Sequence, residues 1–170
     1  EVPSLFSAST IKLQPILSQE YFDFVLENAK SLDEMVRPNN DFNFDIFAVS
    51  TLRKSYLAHL KVSDGSFLME TPQYMYLRVA TYLHFPQLKS IEETYISLSN
   101  GDYAHATPTL FNSGLKKPQL SSCFLLNVED NLPSISKAWH DQAIISMNSG
   151  GLGCDYSKLR HSEIGQHGFS

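Results

Sequence analysis

The chain has 170 residues, of which 42% are hydrophobic and 18% are charged. This length is enough for one domain with its own core, and the composition differs from that of disordered chains, which are charge-rich and poor in apolar residues. The net charge of −5 comes without a dense block of lysine or arginine, which argues against a nucleic-acid groove or an anionic membrane as the main partner. A single nucleotide could still bind locally.

Two helices are predicted in the first third of the chain. Ser18 is a suitable N-cap, and Pro38 ends the first helix because proline cannot continue it. The apolar residues of this helix recur at helical spacing: Tyr21, Phe22, Val25, Leu26, Ala29, Leu32 and Val36. Residues 39–44 favour turns, and Asp64-Gly65 predicts another turn. Between these turns a shorter helix is predicted from the apolar stripe Phe47, Leu52, Tyr56 and Leu60.

Two more helices complete the helical front. Thr71 followed by Pro72 indicates a helix start, because threonine caps free amides and proline suits the first helical position. Its buried stripe is predicted to be Met75, Val79 and Leu83. Another helix is predicted over residues 90–100, and Gly101 suits a left-handed exit from it. The first hundred residues therefore predict a helical layer.

After Gly101 the pattern becomes one of strand and helix. Residues 107–118 predict a loop, and residues 120–128 predict a buried strand. Asp130 and Asn131 then open a helix. The residues of this helix that are predicted to face inward are Ile135, Ala138, Trp139, Ala143 and Ile145.

A second strand follows that helix. Gly150-Gly151 is predicted to close the helix, and residues 154–159 are predicted to form the strand. The order strand, helix, strand favours a parallel sheet, which two strands alone cannot complete. The sequence therefore predicts an α+β chain, with a helical N-terminal domain at residues 1–103 and the start of an α/β domain at residues 104–170.

Cysteine and histidine usage predicts no metal site and no disulfide framework. Cys123 and Cys154 lie far apart, and neither belongs to a Cys-x-x-Cys pair. The six histidines show no spacing typical of metal ligands. No apolar run approaches the ~20 residues that span a bilayer, and no leader peptide is recognised. We therefore expect a reducing, cytoplasmic setting.

Two sequence motifs at a fixed separation carry the most information. Residues 106–114 read Ala-Thr-Pro-Thr-Leu-Phe-Asn-Ser-Gly, and residues 118–126 read Pro-Gln-Leu-Ser-Ser-Cys-Phe-Leu-Leu. Together they resemble the large, catalytic subunit of class I ribonucleotide reductases. Residues 149–153, Ser-Gly-Gly-Leu-Gly, match the next motif of that family in the right order. Residues 50–57 and 72–79 resemble its helical front, so the resemblance covers nearly the whole chain.

The resemblance implies both a fold and a reaction. Residues 1–103 would form the family's helical N-terminal domain, and residues 104–170 would provide the first strand, helix and strand of its α/β barrel. In the family, a radical made in a metal-containing small subunit reaches a cysteine on a later finger loop, which abstracts a ribose hydrogen. Cys123 matches the redox-active cysteine that then reduces the sugar and forms a disulfide with a cysteine much later in the sequence. From composition alone, Cys123 would be a small buried hydrophobe.

Three further residues match the family's substrate site. Thr107 and Ser122 would hold the substrate diphosphate or ribose through hydroxyl and backbone donors. Gly151, next to Gly150, would let a nucleotide approach the backbone, because glycine has no side chain. The alternatives are local: turn bonding for the two hydroxyl residues and a helix C-cap for the glycines. Both interpretations can hold at once.

Four residues match the family's specificity site, where a deoxynucleoside triphosphate or ATP binds as an allosteric effector. Asp130, Asn131 and Leu132 fall near a helix start, where an anion is electrostatically favoured. Arg160 aligns with a family arginine that meets the effector phosphate. The alternative is that Asp130 and Asn131 only cap the helix and that Arg160 is a solvated charge.

Two departures from the family pattern lie near that site. Met147 stands where many members carry lysine, which removes a cation from the expected triphosphate site. Residues 161–168 differ from the usual short loop, and Glu163 adds negative charge there. Both changes weaken the expectation of effector binding relative to substrate binding.

The predicted function is therefore that of part of a ribonucleoside-diphosphate reductase large subunit, inactive as an isolated fragment. No cofactor is expected to bind this chain directly. The implied partners are the rest of the large subunit, a radical-generating small subunit, a second large subunit, and a reductant of the thioredoxin or glutaredoxin type. The alternative is a non-catalytic large-subunit remnant that binds nucleotides or serves in assembly. A stand-alone helical interaction module would leave Thr107, Ser122 and Cys123 without a common purpose.

Overall fold

A computed structural model describes residues 17–62, 65–116 and 118–161. The chain divides into two compact units, Glu1–Leu120 and Ser121–Ser170. The described elements of the first unit are α1 (Gln19–Glu27), α2 (Ala29–Met35), a 3-10 helix (Pro38–Asn43), α3 (Ile46–Ser55), β1 (His59–Val62), β2 (Gly65–Leu68), α4 (Pro72–His84), α5 (Leu88–Asn100) and α6 (Thr107–Asn112). Those of the second unit are β3 (Cys123–Asn127), α7 (Leu132–Met147) and β4 (Gly151–Asp155).

This architecture confirms the predicted fold class: a mostly helical part followed by strand, helix and parallel strand. The two compact units divide after Leu120. The boundary predicted between residues 103 and 104 follows from the change of pattern after Gly101, and it stays a prediction.

Helices α4 and α5 form the centre of the first unit. Pro72 opens α4 as predicted, and Gly101 follows α5 with a φ of 78°, the left-handed exit expected of glycine. Two apolar clusters flank α4. One contains Leu32, Leu77, Ala80, Ile91 and Tyr95. The other contains Leu57, Met75, Val79, Leu98 and Leu110.

A buried polar network joins α4 to α5. The Gln73 side chain is fully buried, and its Oε1 accepts hydrogen bonds from Tyr95 Oη (2.9 Å) and Ser99 Oγ (2.6 Å). Tyr95 Oη in turn accepts from the backbone N–H of Arg37 (2.8 Å), just before the 3-10 helix. Asn40 of that helix donates to Ser99 Oγ (2.8 Å). Because each bond replaces lost hydration, the network fixes this helix against the α4–α5 pair.

The first predicted helix is divided in two. A continuous helix up to Val36 was expected, but α1 and α2 are separated at Asn28. At this break the carbonyl of Phe24 accepts both the side-chain amide (2.9 Å) and the backbone N–H (3.1 Å) of Asn28, a local side-chain bond typical of asparagine at helix ends. Ser18 takes the predicted N-cap position, but its side chain makes no cap bond. Its backbone N–H donates instead to the carbonyl of Gly114 (3.1 Å).

The second predicted helix is shorter than expected. α3 ends at Ser55, and Leu60 lies in β1, which pairs antiparallel with β2. Apolar residues four apart fit the face of a helix and, as even-numbered steps, also fit one face of a strand. Pairing with β2 decides between these two structures. In the predicted turn at Asp64-Gly65, Gly65 begins β2, and Asp64 lies outside the described residues.

The second unit contains the predicted parallel pair of strands at shifted positions. β3 is shorter than residues 120–128, and β4 begins at Gly151 rather than at Cys154. The backbone N–H of Gly151 donates to the carbonyl of Ser122 (2.9 Å), so this glycine belongs to the sheet and does not close α7. Gly150 does contribute to the helix end, because its N–H donates to the carbonyl of Ile145 (3.0 Å).

Burial in the second unit differs from the prediction. The strand over residues 120–128 was expected to be buried, yet Leu125 of β3 is 89% exposed. On α7, Ala138 is buried as predicted, but Trp139 and Ala143 are exposed. For Leu125 the reason is that α7 covers only one face of the two-stranded sheet, whereas parallel sheets are normally covered on both faces.

A loop was predicted for residues 107–118, but its first six residues form α6. Pro108 accounts for this helix, because its fixed φ suits the first turn and its missing N–H is not needed there.

Within the described ranges, no helix has both the length and the apolar character required to cross a bilayer.

Candidate functional site

Three of the predicted site residues lie side by side at the start of the parallel sheet. Cys123 is the Cα partner of Gly151 in the β3–β4 register. Ser122 precedes Cys123, and its carbonyl accepts the hydrogen bond from Gly151 N–H. A Cβ placed on Gly151 would lie 3.1 Å from the Ser122 carbonyl oxygen, a close contact that the absent side chain avoids. The register therefore brings the thiol of Cys123 and the backbone of Ser122 next to Gly151, which has no side chain.

The thiol of Cys123 lies on the face of the sheet that α7 leaves uncovered. Along both strands, exposed and partly shielded residues alternate, and Cys123 is among the exposed ones. The shielded residues face α7, which packs against both strands: Phe124, Leu126, Leu152 and Cys154. In an α/β barrel the helices lie outside, so the open face is the one that a barrel would enclose.

The two cysteines do not face each other. Both are free thiols, and Cys154 pairs in register with Leu126, three positions along β3 from Cys123. Because side chains alternate between the faces of a strand, an odd offset places the two thiols on opposite faces. A disulfide between Cys123 and Cys154 is therefore excluded in this fold.

Gly150 lies at the tight entry from α7 into β4. A Cβ at this position would lie 2.7 Å from Ile145 Cγ2 and 2.9 Å from Phe124 Cε2. The preceding Ser149 has a φ of 61°, the left-handed conformation that ends the helix. The close helix–strand contact thus requires a residue without a side chain directly before Gly151.

Thr107 belongs to the first unit, where it is the first residue of α6 and is exposed. Its Oγ1 lies 3.2 Å from Tyr56 Oη, and either hydroxyl can donate. The Tyr56 ring packs on Phe111 with centroids 4.9 Å apart. The hydroxyl predicted to bind substrate is therefore accessible and oriented by a tyrosine.

Side chains also bind the segment that follows α6. Thr109 Oγ1 donates to the carbonyl of Leu120 (3.2 Å), and Asn112 Nδ2 donates to the carbonyl of Gln119 (2.7 Å). Ser113 Oγ donates to the carbonyl of Thr109 (2.6 Å). Thr109 and Asn112 of the first motif thus bind the backbone at the start of the second motif.

Glu70 and Arg78 were not predicted as site residues, yet they bind the end of α6. Arg78 pairs with Glu70 through two hydrogen bonds, of 2.7 and 3.1 Å. It also donates to the carbonyls of Leu110 and Ser113, both at 3.0 Å. The sequence signal available was an arginine within the otherwise apolar part of α4.

His105 lies next to the motif that begins at Ala106. Its ring makes an edge contact with Tyr103, with centroids 5.3 Å apart. Its Nε2 is buried and has no hydrogen-bond partner among the described residues. Burial, and secondarily the neighbouring His84, lowers the pKa of His105 from its usual value.

The four residues predicted to bind an effector lie at the start of α7 and just after β4. Asn131 Oδ1 accepts from the backbone N–H of Ser134 (2.9 Å), so the predicted cap exists. Asp130 Oδ2 lies 3.3 Å from Arg160 Nε, and Leu132 is exposed. The cap and the ion pair show that these residues are close together, and both are compatible with the purely structural alternative.

A second ion pair lies beside the first. Lys158 Nζ donates to Glu129 Oε1, and this hydrogen bond raises the pKa of Lys158. The backbone N–H of Ser157 donates to Asp155 and lowers the pKa of that carboxyl. These charges are solvent-exposed, so each pair contributes little to stability.

The departures noted in the sequence have different positions. Met147 is exposed at the opposite end of α7 from Asp130. With a rise of 1.5 Å per residue, the two helix ends are separated by roughly 22 Å within one chain. Of the altered loop, Glu163 lies outside the described residues. Among the residues that the structure describes, no group of three or more His, Cys, Asp or Glu side chains could hold a metal ion.

Comparison with known proteins agrees with both parts of the fold. Residues 42–118 match the family model for the all-alpha domain of ribonucleotide reductase, and residues 121–168 match the model for its barrel domain. The chain is 41% identical over 151 residues to the ribonucleoside-diphosphate reductase large subunit of Acanthamoeba polyphaga mimivirus, an alignment that covers 88% of this chain. The chain belongs to the ribonucleotide reductase large-subunit family.

Other large subunits of this ribonucleotide reductase family give similar values. Identity is 39% over 158 residues to that of Trypanosoma brucei brucei, and 37% over 147 residues to that of Arabidopsis thaliana. These alignments cover 91% and 86% of this chain. The chain spans only 17–19% of the length of the three relatives. The family is an enzyme family, and this chain corresponds to a small part of each relative.

Proposed function

We propose that the chain is the front portion of a class I type ribonucleoside-diphosphate reductase large subunit in the cytoplasm. The reaction replaces the ribose 2′-hydroxyl by hydrogen and releases the oxygen as water. Two thiols supply the two electrons and become a disulfide, so atoms and electrons balance. Cys123 is one of these thiols, and the product is a deoxyribonucleotide.

The observation that carries this proposal is the register of Cys123 opposite Gly151 on the uncovered face of the sheet. A thiol can reduce a bound ribose only where substrate can approach it, and the neighbouring glycine backbone leaves room for that approach. A dithiol can also be regenerated by exchange with an external thiol. Thr107 and Ser122 hold the diphosphate or ribose.

The second thiol comes from outside this chain. Cys154 faces α7, on the other side of the sheet from Cys123, so it cannot close the redox disulfide. The remaining barrel supplies the partner cysteine and the finger-loop cysteine, and a metal-containing small subunit supplies the radical. A second large subunit and a reductant of the thioredoxin or glutaredoxin type complete the assembly. Alone, the chain turns over no substrate.

Effector binding at the start of α7 is part of the proposal. Asp130, Asn131, Leu132 and Arg160 meet the ribose and phosphates of a deoxynucleoside triphosphate or ATP. The exposed Asp130–Arg160 pair costs little to rearrange, because solvent screens such pairs. A phosphate group can therefore take the place of the carboxylate on Arg160.

Comparison of two cysteine variants tests the catalytic role. In the complete large subunit with its small subunit, Cys123→Ser should abolish turnover driven by a dithiol while leaving ribonucleotide binding nearly unchanged. Cys154→Ser is the matched control and should retain turnover, because its thiol lies on the α7 side. Unchanged turnover in Cys123→Ser would remove Cys123 from the mechanism.

A non-catalytic remnant is the second candidate, favoured by the exposed Met147 where the family often has lysine. Such a protein would bind nucleotides or assemble with a partner. Mass spectrometry of the native protein separates the two functions. A longer chain, or a stably bound second chain with the finger-loop cysteine, favours the enzyme; neither would be found for a remnant.

A further inference from the structure

We propose that Glu70, Arg78 and Tyr56 form a clamp that positions α6, so that the Thr107 hydroxyl is held ready for the substrate. This inference rests on the proposed function, because it assigns a role in substrate binding to residues that do not themselves touch the substrate. The three are positioning residues, and they act through α6.

The clamp grips the C-terminal end of α6. The last carbonyls of a helix have no partner within it, and a cation is favoured there. Arg78 Nη2 donates to the carbonyl of Leu110, and Nη1 donates to the carbonyl of Ser113. A planar guanidinium can make these two bonds and a bidentate pair with Glu70 at the same time, which an ammonium group cannot.

Glu70 connects this grip to the other end of α6. Its Oε2 accepts the backbone N–H of Ala58 (2.9 Å) in addition to the bond from Arg78. Ala58 lies two residues after Tyr56, whose hydroxyl is 3.2 Å from Thr107 Oγ1. Thr107 is therefore linked through Tyr56 and the backbone to Ala58, and from Ala58 through Glu70 to Arg78 and the end of α6.

The pair is shielded from solvent. The side chains of Arg78 and Glu70 are only 15% and 8% exposed. Buried ion pairs often contribute no more net stability than apolar residues of the same volume, because both charges must be desolvated. A gain in stability therefore does not explain why this ion pair is buried. The pair does hold the Arg78 guanidinium in position to bond the carbonyls of Leu110 and Ser113.

Steady-state kinetics of the complete large subunit with its small subunit tests the clamp. For Arg78→Met we expect KM for the ribonucleoside diphosphate to rise about tenfold, the loss given by ~1.4 kcal/mol of binding. The value of kcat at saturation should change less than about threefold, because the lost interaction stabilises the bound substrate and the transition state equally. Arg78→Lys should raise KM less than Arg78→Met does, because lysine keeps the positive charge but lacks the planar set of donors of the guanidinium. Lys89→Met, which breaks only the exposed Lys89–Glu93 pair, is the control and should match the parent.

A second variant covers the case in which Arg78→Met does not fold. Tyr56→Phe keeps the ring on Phe111 and removes only the hydroxyl beside Thr107, so the fold should persist. We expect KM to rise roughly threefold with kcat retained, the effect of losing one exposed hydrogen bond. An unchanged KM in Tyr56→Phe, or in folded Arg78→Met, would overturn the clamp.

These outcomes are separate from failure of the proposed function. If the parent assembly reduces ribonucleotides and the clamp variants have the same KM as the parent, the clamp is refuted and the proposed function stands. If the parent assembly neither binds nor reduces ribonucleotides, the proposed function is refuted and the clamp falls with it. A folded Arg78→Met whose melting temperature falls while KM stays constant would assign the pair to stability alone.

Discussion

Replacement of Gly150 by alanine should destabilise the second unit more than a glycine-to-alanine change ordinarily would. The new Cβ would lie 2.7 Å from Ile145 Cγ2 and 2.9 Å from Phe124 Cε2, well inside contact distance. Neither neighbour is the free end of a long chain: Ile145 is β-branched, and the Phe124 ring lies between α7 and the sheet. Overpacking of this kind costs about 1–3 kcal/mol.

Gly153→Ala provides a matched control in the same unit. Its Cβ would lie 3.4 Å from Leu125 Cδ2, an ordinary contact, and neither Gly150 nor Gly153 has a positive φ. Both changes restrict the unfolded chain equally, a gain of about 0.4–1 kcal/mol. The difference between the two variants therefore isolates the steric cost at Gly150.

Urea unfolding monitored by far-UV circular dichroism measures that difference, and hydrogen exchange of residues 121–155 shows whether the loss is local to β3, α7 and β4. We expect a lower midpoint and faster exchange in Gly150→Ala and a near-parental midpoint in Gly153→Ala. Equal midpoints for the two variants would refute the close helix–strand contact at Gly150.

Three further predictions concern other parts of the chain. Tyr95→Phe removes one buried and one partly buried hydrogen bond and should cost about 1–3 kcal/mol in urea unfolding, whereas Tyr74→Phe, which loses one exposed bond to Asp33, should cost less than half as much. The depressed pKa of His105 means that its neutral form stabilises the fold above about pH 6.5 and that this contribution is lost as pH falls below that value. In His105→Asn the free energy of unfolding should therefore fall less steeply as pH decreases below about 6.5; an unchanged slope would contradict this. Asp130→Ala should weaken deoxynucleotide binding measured by calorimetry, and an unchanged affinity would leave Asp130 a structural residue only.

Local signals in the sequence predicted the elements whose ends depend on single residues. Pro72 opened α4, Gly101 ended α5 and Asn131 capped α7, because each of these residues favours its backbone position without help from distant contacts. The parallel pairing of β3 and β4 also followed from the order of elements.

Errors arose where non-local contacts decide the structure. The stripe ending at Leu60 fitted a helix, but pairing across the β1–β2 hairpin made that residue part of a strand. One error, by contrast, was local: the predicted helix is divided at Asn28, whose side chain bonds the carbonyl four residues earlier, although the apolar spacing continues through it. Leu125 was predicted to be buried because apolar runs in parallel strands usually are, yet the elements that would cover it are absent from the described residues.

The candidate site was only partly visible in the sequence. Resemblance of the motifs identified Cys123, but its alignment with Gly151 and the opposite orientation of Cys154 depend on a register that spacing cannot give. Glu70 and Arg78 were missed because their roles rest on carbonyls more than thirty residues away from the arginine, at Leu110 and Ser113.

A single-turnover experiment tests the central claim most directly. The complete reductase is supplied with ribonucleoside diphosphate but no external reductant, quenched with an alkylating agent, and mapped by mass spectrometry. We predict that Cys123 becomes part of a disulfide with a cysteine from the later barrel, in proportion to the deoxyribonucleotide formed, while Cys154 is alkylated as a free thiol. Deoxyribonucleotide formation with Cys123 still alkylated as a free thiol would contradict the account.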